Sequence, residues 1–575
     1  MTGYKRRLLY IISIILFNTL AINAFAQKEE FVQSLDRQNH WVDSVYNGMT
    51  KAERIAQLFF IRAHTNKGRA YEDSVEMVIR EQHVGGLVFF QGGPVRQANL
   101  TNRYQKASEV PLLVSMDGEW GLGMRLDSAI SYPYQMTLGA IQDNTLIYKM
   151  GQMIAADFKR IGLQMNFAPV MDINNNPNNP VINYRSFGDN RFNVAKKGIA
   201  YFKGMQDGGL LTTAKHFPGH GDTNVDSHFD LPLLPFTRQR LDSLEEYPFR
   251  EAIKAGISGI MIAHMNIPAL DTAKNRPSTL SRPIITGLLK DSLKFEGLVV
   301  SDAMEMKGVV KYFPNGEADV QAFLAGNDIL ELSVNSERAI KLISKVCRKK
   351  KINAREFEAK VKKVLTAKYW AGLNDYKPVN PAGIIASINR PEAKQLIQQL
   401  SDAAITLLKG NTPALRLDPM RKTAIVSIGI DKPTIFQMEL SKWYPNSMLF
   451  LVNKSTPLSQ LNNMLISLKT FDQVYISIHD TRLRPQSKLD YSSDVRFLIA
   501  QLAAQKNTVT SVFANAYSIA GLPGIEKSGS LLVGYQNSEE LQRAAVKVIT
   551  GQMKPTGKLP VSVNTFFPNG TGVTL

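Results

Sequence analysis

The sequence predicts an α/β protein of two domains, a (β/α)8 TIM-type barrel followed by a smaller, open α/β sandwich. Three observations carry this. Between residues 50 and 375, short apolar runs alternate with amphipathic helical stretches through about eight repeats, the pattern of a closed parallel sheet wrapped in helices. Several of those runs end in an ionisable side chain, as expected where strands deliver chemistry to one end of a barrel. Beyond a proline-bearing break at 376–390, a second and shorter alternation begins.

The chain opens with Lys5-Arg6-Arg7, an apolar run from Leu8 to Ile22, and Ala24-Phe25-Ala26 before Gln27. A basic start, a short apolar segment and an A-x-A site are the parts of a secretory signal peptide. Residues 1–26 are therefore expected to be removed, leaving a periplasmic or secreted protein with no membrane anchor. That compartment permits disulfides, but a single cysteine, Cys347, excludes an internal one.

The barrel is expected over 27–375. Its strands are read at 55–61, 84–90, 111–116, 164–171, 210–214, 259–263, 297–301 and 328–332. Helical periodicity lies between them at 144–160, 192–207, 245–255, 283–293 and 317–325. Asp117 follows PLLVSM, Asp172 follows FAPVM, Lys215 and His216 follow LLTTA, His264 follows GIMIA and Asp302 follows GLVVS. Five strand ends of this kind converge on a pocket. YKPVNPAG (376–383) breaks the pattern and is read as a linker over 376–390. In the second domain, 391–575, a helix is read over 393–407 and strands at 423–429, 448–452, 473–478, 508–514 and 529–533. No Gly-rich phosphate loop follows its first strand, so no nucleotide, and no other cofactor, is expected. The closing FFPNGTGVTL has the composition of a linker and is read as one leading into further chain.

With 68 Lys and Arg against 50 Asp and Glu, the net charge is +18. Such a surplus suits an anionic substrate or surrounding. Nucleic acid is excluded, because no basic stripe is interleaved with aromatics. The densest basic run, Arg348 to Lys351, reads as a solvated helix end.

One stretch concentrates the chemistry. KHFPGHGDTNVDSH (215–228) holds three of the eight histidines, His216, His220 and His228, with Asp222 and Asp226. Loop residues satisfying backbone groups would account for it. So would a metal site using His216, His220, Asp222, Asp226 and His228. The third reading is acid–base catalysis, in which Asp226 holds one nitrogen of His228 so that the other can donate a proton to a leaving group. The residues alone also leave Asp172 divided between bonding its own loop and touching substrate. They favour loop-shaping for His220 and Asp222 and packing for His264.

Together with NFAPVMDINNNPNNPVINYRSFG (166–188) and GLVVSDAMEMKGV (297–309), this stretch resembles glycoside hydrolase family 3, in its β-N-acetylglucosaminidase branch. The resemblance implies the two-domain layout and a metal-free, retaining, exo-acting enzyme that removes terminal β-linked GlcNAc from peptidoglycan-derived or related glycans. It implies Asp302 as nucleophile and Asp226–His228 as the acid/base dyad. Asp117, Arg185, Lys215 and His216 fall at positions that hold the terminal sugar, and Arg125 at that of a further sugar-site arginine. DGEWGLGMR (117–125) departs from the family pattern at Trp120. The expected partner is a carbohydrate and the expected state a monomer. The alternatives are a β-glucosidase or β-xylosidase of the same family, which lack the D-S-H loop, a zinc hydrolase, or an inactive wall-binding module.

Overall fold

The computed structural model describes residues 29–505 and 507–575, so the expected signal peptide lies outside it. Among the described residues no helix is long and apolar enough to cross a membrane.

Eight strands form the first sheet: β1 Phe59–Ala63, β2 Gly86–Phe89, β3 Leu113–Met116, β4 Met165–Asn166, β5 Leu211–Phe217, β6 Gly259–Ile262, β7 Leu298–Ser301 and β8 Leu330–Glu331. Every pairing is parallel, in the order β7-β6-β5-β4-β3-β2-β1-β8. A bridge between Val300 and Ile329 brings β7 to β8 and rounds the sheet into a barrel. The strands are buried on both faces, which is why they read as continuous apolar runs rather than alternating ones.

Two strand expectations shift for identifiable reasons. The run at 55–61 begins in a helix, Lys51–Ala56, because Thr50 and Glu53 form a reciprocal capping box that starts it. The 164–171 run is regular only at Met165 and Asn166; beyond them the pairing is interrupted and resumes on β5 at the Val170–Lys215 bridge. Pro169 has no N–H to give, and Val170 N donates instead to Gln135 Oε1 at 3.0 Å. The helix at Asn144–Arg160 matches its periodicity end to end. Asp143 caps its start by accepting from Thr145 N, and Lys159 and Arg160 complement its C-terminal carbonyls.

The segment 376–390 lies along the barrel wall. Asn102 holds Val379 through both backbone groups, at 2.8 and 2.7 Å, and Arg160 donates to Asn380 O at 2.7 Å and Ala382 O at 2.6 Å. A second sheet follows: β9 Thr406–Lys409, β10 Thr423–Ile428, β11 Ser447–Val452, β12 Gln473–His479, β13 Thr508–Phe513 and β14 Ser530–Val533, in the order β11-β10-β12-β13-β14-β9. It is parallel except for β9, which runs antiparallel to β14. The helix expected over 393–407 therefore ends at Ala404, and its last residues become this edge strand. The tail is not an extended linker. Val573 N donates to Leu407 O at 2.7 Å, Phe567 is buried, and Asn569 Nδ2 donates to Asp189 Oδ1 at 2.6 Å on the barrel.

The two domains share one continuous apolar core. Their contact includes the barrel's Asn-rich loop after β4. Tyr517 donates its hydroxyl to Asn174 O at 2.7 Å, Asn515 Nδ2 donates to Asn183 Oδ1, and Gln536 Oε1 accepts from Tyr134 N at 2.7 Å.

Candidate active site

The ends of β3 and β5 meet in a buried ion network centred on Lys215. Its ammonium, only 2% exposed, donates to Asp117 Oδ1 at 2.7 Å and lies 2.8 Å from Glu119 Oε1. Arg125 donates to the other Asp117 oxygen at 2.6 Å, and Arg185 grips Glu119 through both carboxylate oxygens at 2.9 and 2.7 Å. Two carboxylates shared among three cations give every charged group an opposite partner and leave the network one positive charge in excess, which favours both carboxylates ionised. Desolvation alone would raise the Asp117 carboxyl, but Lys215 and Arg125 outweigh it and hold it well below the usual range.

Desolvation likewise opposes ionisation of Glu119, yet Arg185 and Lys215 bring it down to about 2 from the ordinary 4.5. Its contribution to stability is therefore complete above the ordinary carboxylate range and is lost as pH falls toward 2. Replacing Glu119 by Gln is expected to lower Tm at neutral pH and to flatten the fall in Tm between about pH 5 and about pH 2. Melting curves across that range check this; an acid slope identical to wild type would mean that Glu119 is not held ionised.

Asp172, which follows the apolar run after β4, is fully buried and spends its oxygens on the end of β5. It accepts from His216 Nδ1 at 2.7 Å, from His216 N at 3.1 Å and from His220 N at 2.7 Å. Its carboxylate partners lie at the end of β5 and not on the Asn-rich loop behind it, where bonding is expected from the sequence. With Nδ1 fixed on Asp172, His216 is left with Nε2 for a ligand. His220 Nε2 lies 3.1 Å from Ser227 Oγ, tethering the loop on which the dyad sits, and burial keeps its imidazole neutral by bringing the pKa to about 4. Asp222 accepts from Arg240 at 2.6 Å. The side chains weighed as a metal set thus turn to separate partners. Among the described residues no group of three or more His, Cys, Asp or Glu converges as metal ligands do.

Asp226 Oδ1 accepts from His228 Nδ1 at 2.7 Å and from His228 N at 2.9 Å, so the pair forms within one turn of the loop. The His228 side chain is 60% exposed, leaving Nε2 toward the open side. Asp302 continues β7, with its N–H on Ile262 O at 3.1 Å, and accepts from Ala303 N at 2.7 Å. Burial would raise its carboxyl; the imidazoles of His264 and His216, the Ala303 N–H and His228 together lower it below the usual value. His228 is thus one of the charges that act on Asp302. His264 is structural, as expected of a packed residue. It is fully buried between Thr279 Oγ1 at 2.6 Å and Ala303 O at 3.0 Å, and burial lowers its pKa.

Two acidic residues were not singled out by sequence. Glu119 lies three residues beyond the end of β3, in the D-x-E of DGEW, and only the pairing with Arg185 reveals it. Glu331 ends β8 and is 3% exposed; its run, DILEL, looks like an ordinary strand. Trp120 contributes a wall: its ring meets Tyr134 edge-on at 4.8 Å, and Tyr134 lies 4.9 Å from Tyr184, the residue before Arg185. Tyr134 also donates its hydroxyl to Leu483 O of the second domain at 3.2 Å.

Residues 50–367 match the model of the glycosyl hydrolase family 3 N terminal domain. The chain is 29% identical over 554 residues to β-hexosaminidase A of Pseudoalteromonas piscicida, covering 85% of this chain and 90% of that protein. It is 28% identical over 378 residues to a β-N-acetylglucosaminidase/β-glucosidase of Cellulomonas fimi, covering 64% and 66%. Among solved structures it is similar to a family 3 β-N-acetylglucosaminidase from Paenibacillus sp. str. FPU-7, with a TM-score of 0.75 and 31% identity over 90% of this chain and 99% of that one.

Proposed function

The chain belongs to glycosyl hydrolase family 3, and from that premise we propose that it is an exo-acting, retaining β-N-acetylglucosaminidase. The observation that carries this reading is the 2.7 Å contact between Asp226 and His228, whose imidazole is among the charges that act on the buried Asp302. Cleavage with retention needs a carboxylate beneath the anomeric carbon and a proton donor beside the departing oxygen. Asp302 is the carboxylate. Its oxygen attacks the anomeric carbon as the glycosidic C–O bond breaks, and His228 Nε2–H protonates the leaving oxygen. Neutral His228 then removes a proton from water, the water attacks the same carbon, and the bond to Asp302 breaks.

Asp117, Arg185, Lys215 and His216 are proposed to hold the terminal sugar, with Arg125 acting through Asp117. Glu119 acts behind them, orienting Arg185 and Lys215. We further propose that the protein is exported through residues 1–26 and acts on glycans derived from peptidoglycan, a reading supported by the basic composition and the signal-like start.

The direct test is release of 4-nitrophenol from the β-GlcNAc and the β-glucoside, with and without EDTA. Turnover confined to the GlcNAc glycoside and indifferent to EDTA is the expected result. Preference for the glucoside would overturn the substrate assignment, and loss of activity with EDTA would revive the metal reading.

A further inference from the structure

Glu331 occupies an unusual place among the pocket carboxylates. The Val300–Ile329 bridge sets the register between β7 and β8, and two residues on in each strand it brings Asp302 and Glu331 side by side on the inward face. The Glu331 N–H is taken by Ser301 Oγ at 2.9 Å, but its side-chain Oε2 is buried without any hydrogen-bond partner. The charged groups facing it come from four strands. Asp302 on β7 and Asp117 at the end of β3 oppose ionisation; Lys215 on β5 and Arg62 on β1 favour it.

Neither cation is available. Lys215 is committed to Asp117 and Glu119, and Arg62 is paired with Glu305. A carboxylate in this position would be buried beside two others with no donor of its own, which costs far more than holding a proton. Burial and the two aspartates accordingly push its carboxyl well above the usual range. A protonated carboxyl carries one O–H donor, and an unpartnered donor at the floor of a binding pocket awaits an acceptor.

We propose that Glu331 is a further substrate-binding residue, an uncharged carboxylic acid that donates its O–H to an oxygen of the terminal sugar. This rests on the glycosidase reading above. A neutral donor also serves Asp302, because an ionised Glu331 would crowd the nucleophile with a further negative charge. The acceptor is a hydroxyl or carbonyl oxygen of the saccharide, which have the same hydrogen-bond chemistry.

Two substitutions separate charge from donation. Glu331→Gln remains neutral and keeps a donor, so kcat/KM on the β-GlcNAc aryl glycoside at neutral pH is expected within about threefold of wild type. Glu331→Met has similar volume but no donor, and is expected to lose about tenfold or more, the scale of one hydrogen bond. Binding of GlcNAc in a His228→Ala background removes the imidazole titration. There, affinity is expected to fall at alkaline pH with Glu331 present and to stay level with Gln. Infrared difference spectra between wild type and Glu331→Gln, needing no turnover, are expected to show a protonated-carboxyl C=O band at neutral pH that moves when GlcNAc is added.

A Gln variant as impaired as Met, a Met variant with wild-type kcat/KM, or absence of the band would each overturn the proposal. Failure of the glycosidase reading looks different: the band is present and wild type does not turn over the β-GlcNAc glycoside. In that event a band unmoved by GlcNAc overturns the sugar contact as well.

Discussion

Asp302→Asn is expected to reduce kcat on β-GlcNAc glycosides by roughly 10⁴-fold or more while leaving the fold intact, because the change removes the nucleophile and keeps its shape. The side chain ends β7, its backbone is locked to β6, and its carboxyl is held ionised in a pocket that no neutral amide can mimic. Added azide provides a check that does not depend on rate alone. In Asp302→Gly, a small anion enters from the face that the carboxylate vacated, and the product is expected to be the α-glycosyl azide. Substantial turnover by the Asn variant, or a β-azide from the Gly variant, would require the nucleophile to be sought elsewhere in the pocket.

The second large effect is expected from His228→Ala, and it depends on what is leaving. A 4-nitrophenolate departs without a proton, so the first half-reaction survives. The second loses the base that activates water, and a burst of nitrophenol followed by slow turnover is the expected trace. A disaccharide leaving group needs the proton, and there kcat/KM is expected to fall by about 10²- to 10⁴-fold. Azide, now replacing the activated water, gives the β-glycosyl azide. Equal losses on both substrates, with no burst, would place the proton donor off this loop. The second domain would then be the place to look, since Leu483 already touches Tyr134 at the pocket wall.

Much of this was legible in the sequence because the relevant signals are local. Strand ends followed by Asp117, Asp172, Lys215, His264 and Asp302 need only a hydrophobic run and the residue after it. The D-S-H spacing brings Asp226 to His228 within a single turn of chain. What stayed hidden was non-local. Nothing near Glu119 announces that Arg185, 66 residues away, will bind it. Glu331 reads as an ordinary strand residue until closure of the barrel sets it beside Asp302. The same holds for β9: Thr406–Lys409 continues a helical pattern in the sequence and becomes a strand only because β14 offers an edge to pair with. Asp172 illustrates the intermediate case, where position was evident but role was not. Its bonds to His216 and His220, which join two strand ends, could not be read from the sequence around it.

The two rims of the pocket are built differently. On one side the Asn-rich loop bearing Arg185 is clamped by Tyr517 and Asn515, so the proposed sugar-binding side is fixed by the second domain. On the other, the loop carrying His228 leaves Phe229 and Val225 facing solvent, 68% and 40% exposed, with the Lys307 ammonium over the Phe229 ring at 5.9 Å. An enzyme built this way has a strict end and a tolerant end. It would be exacting about the monosaccharide it removes and indifferent to what that sugar was attached to, accepting a peptide-bearing fragment, a short oligosaccharide or a simple alcohol by the same chemistry.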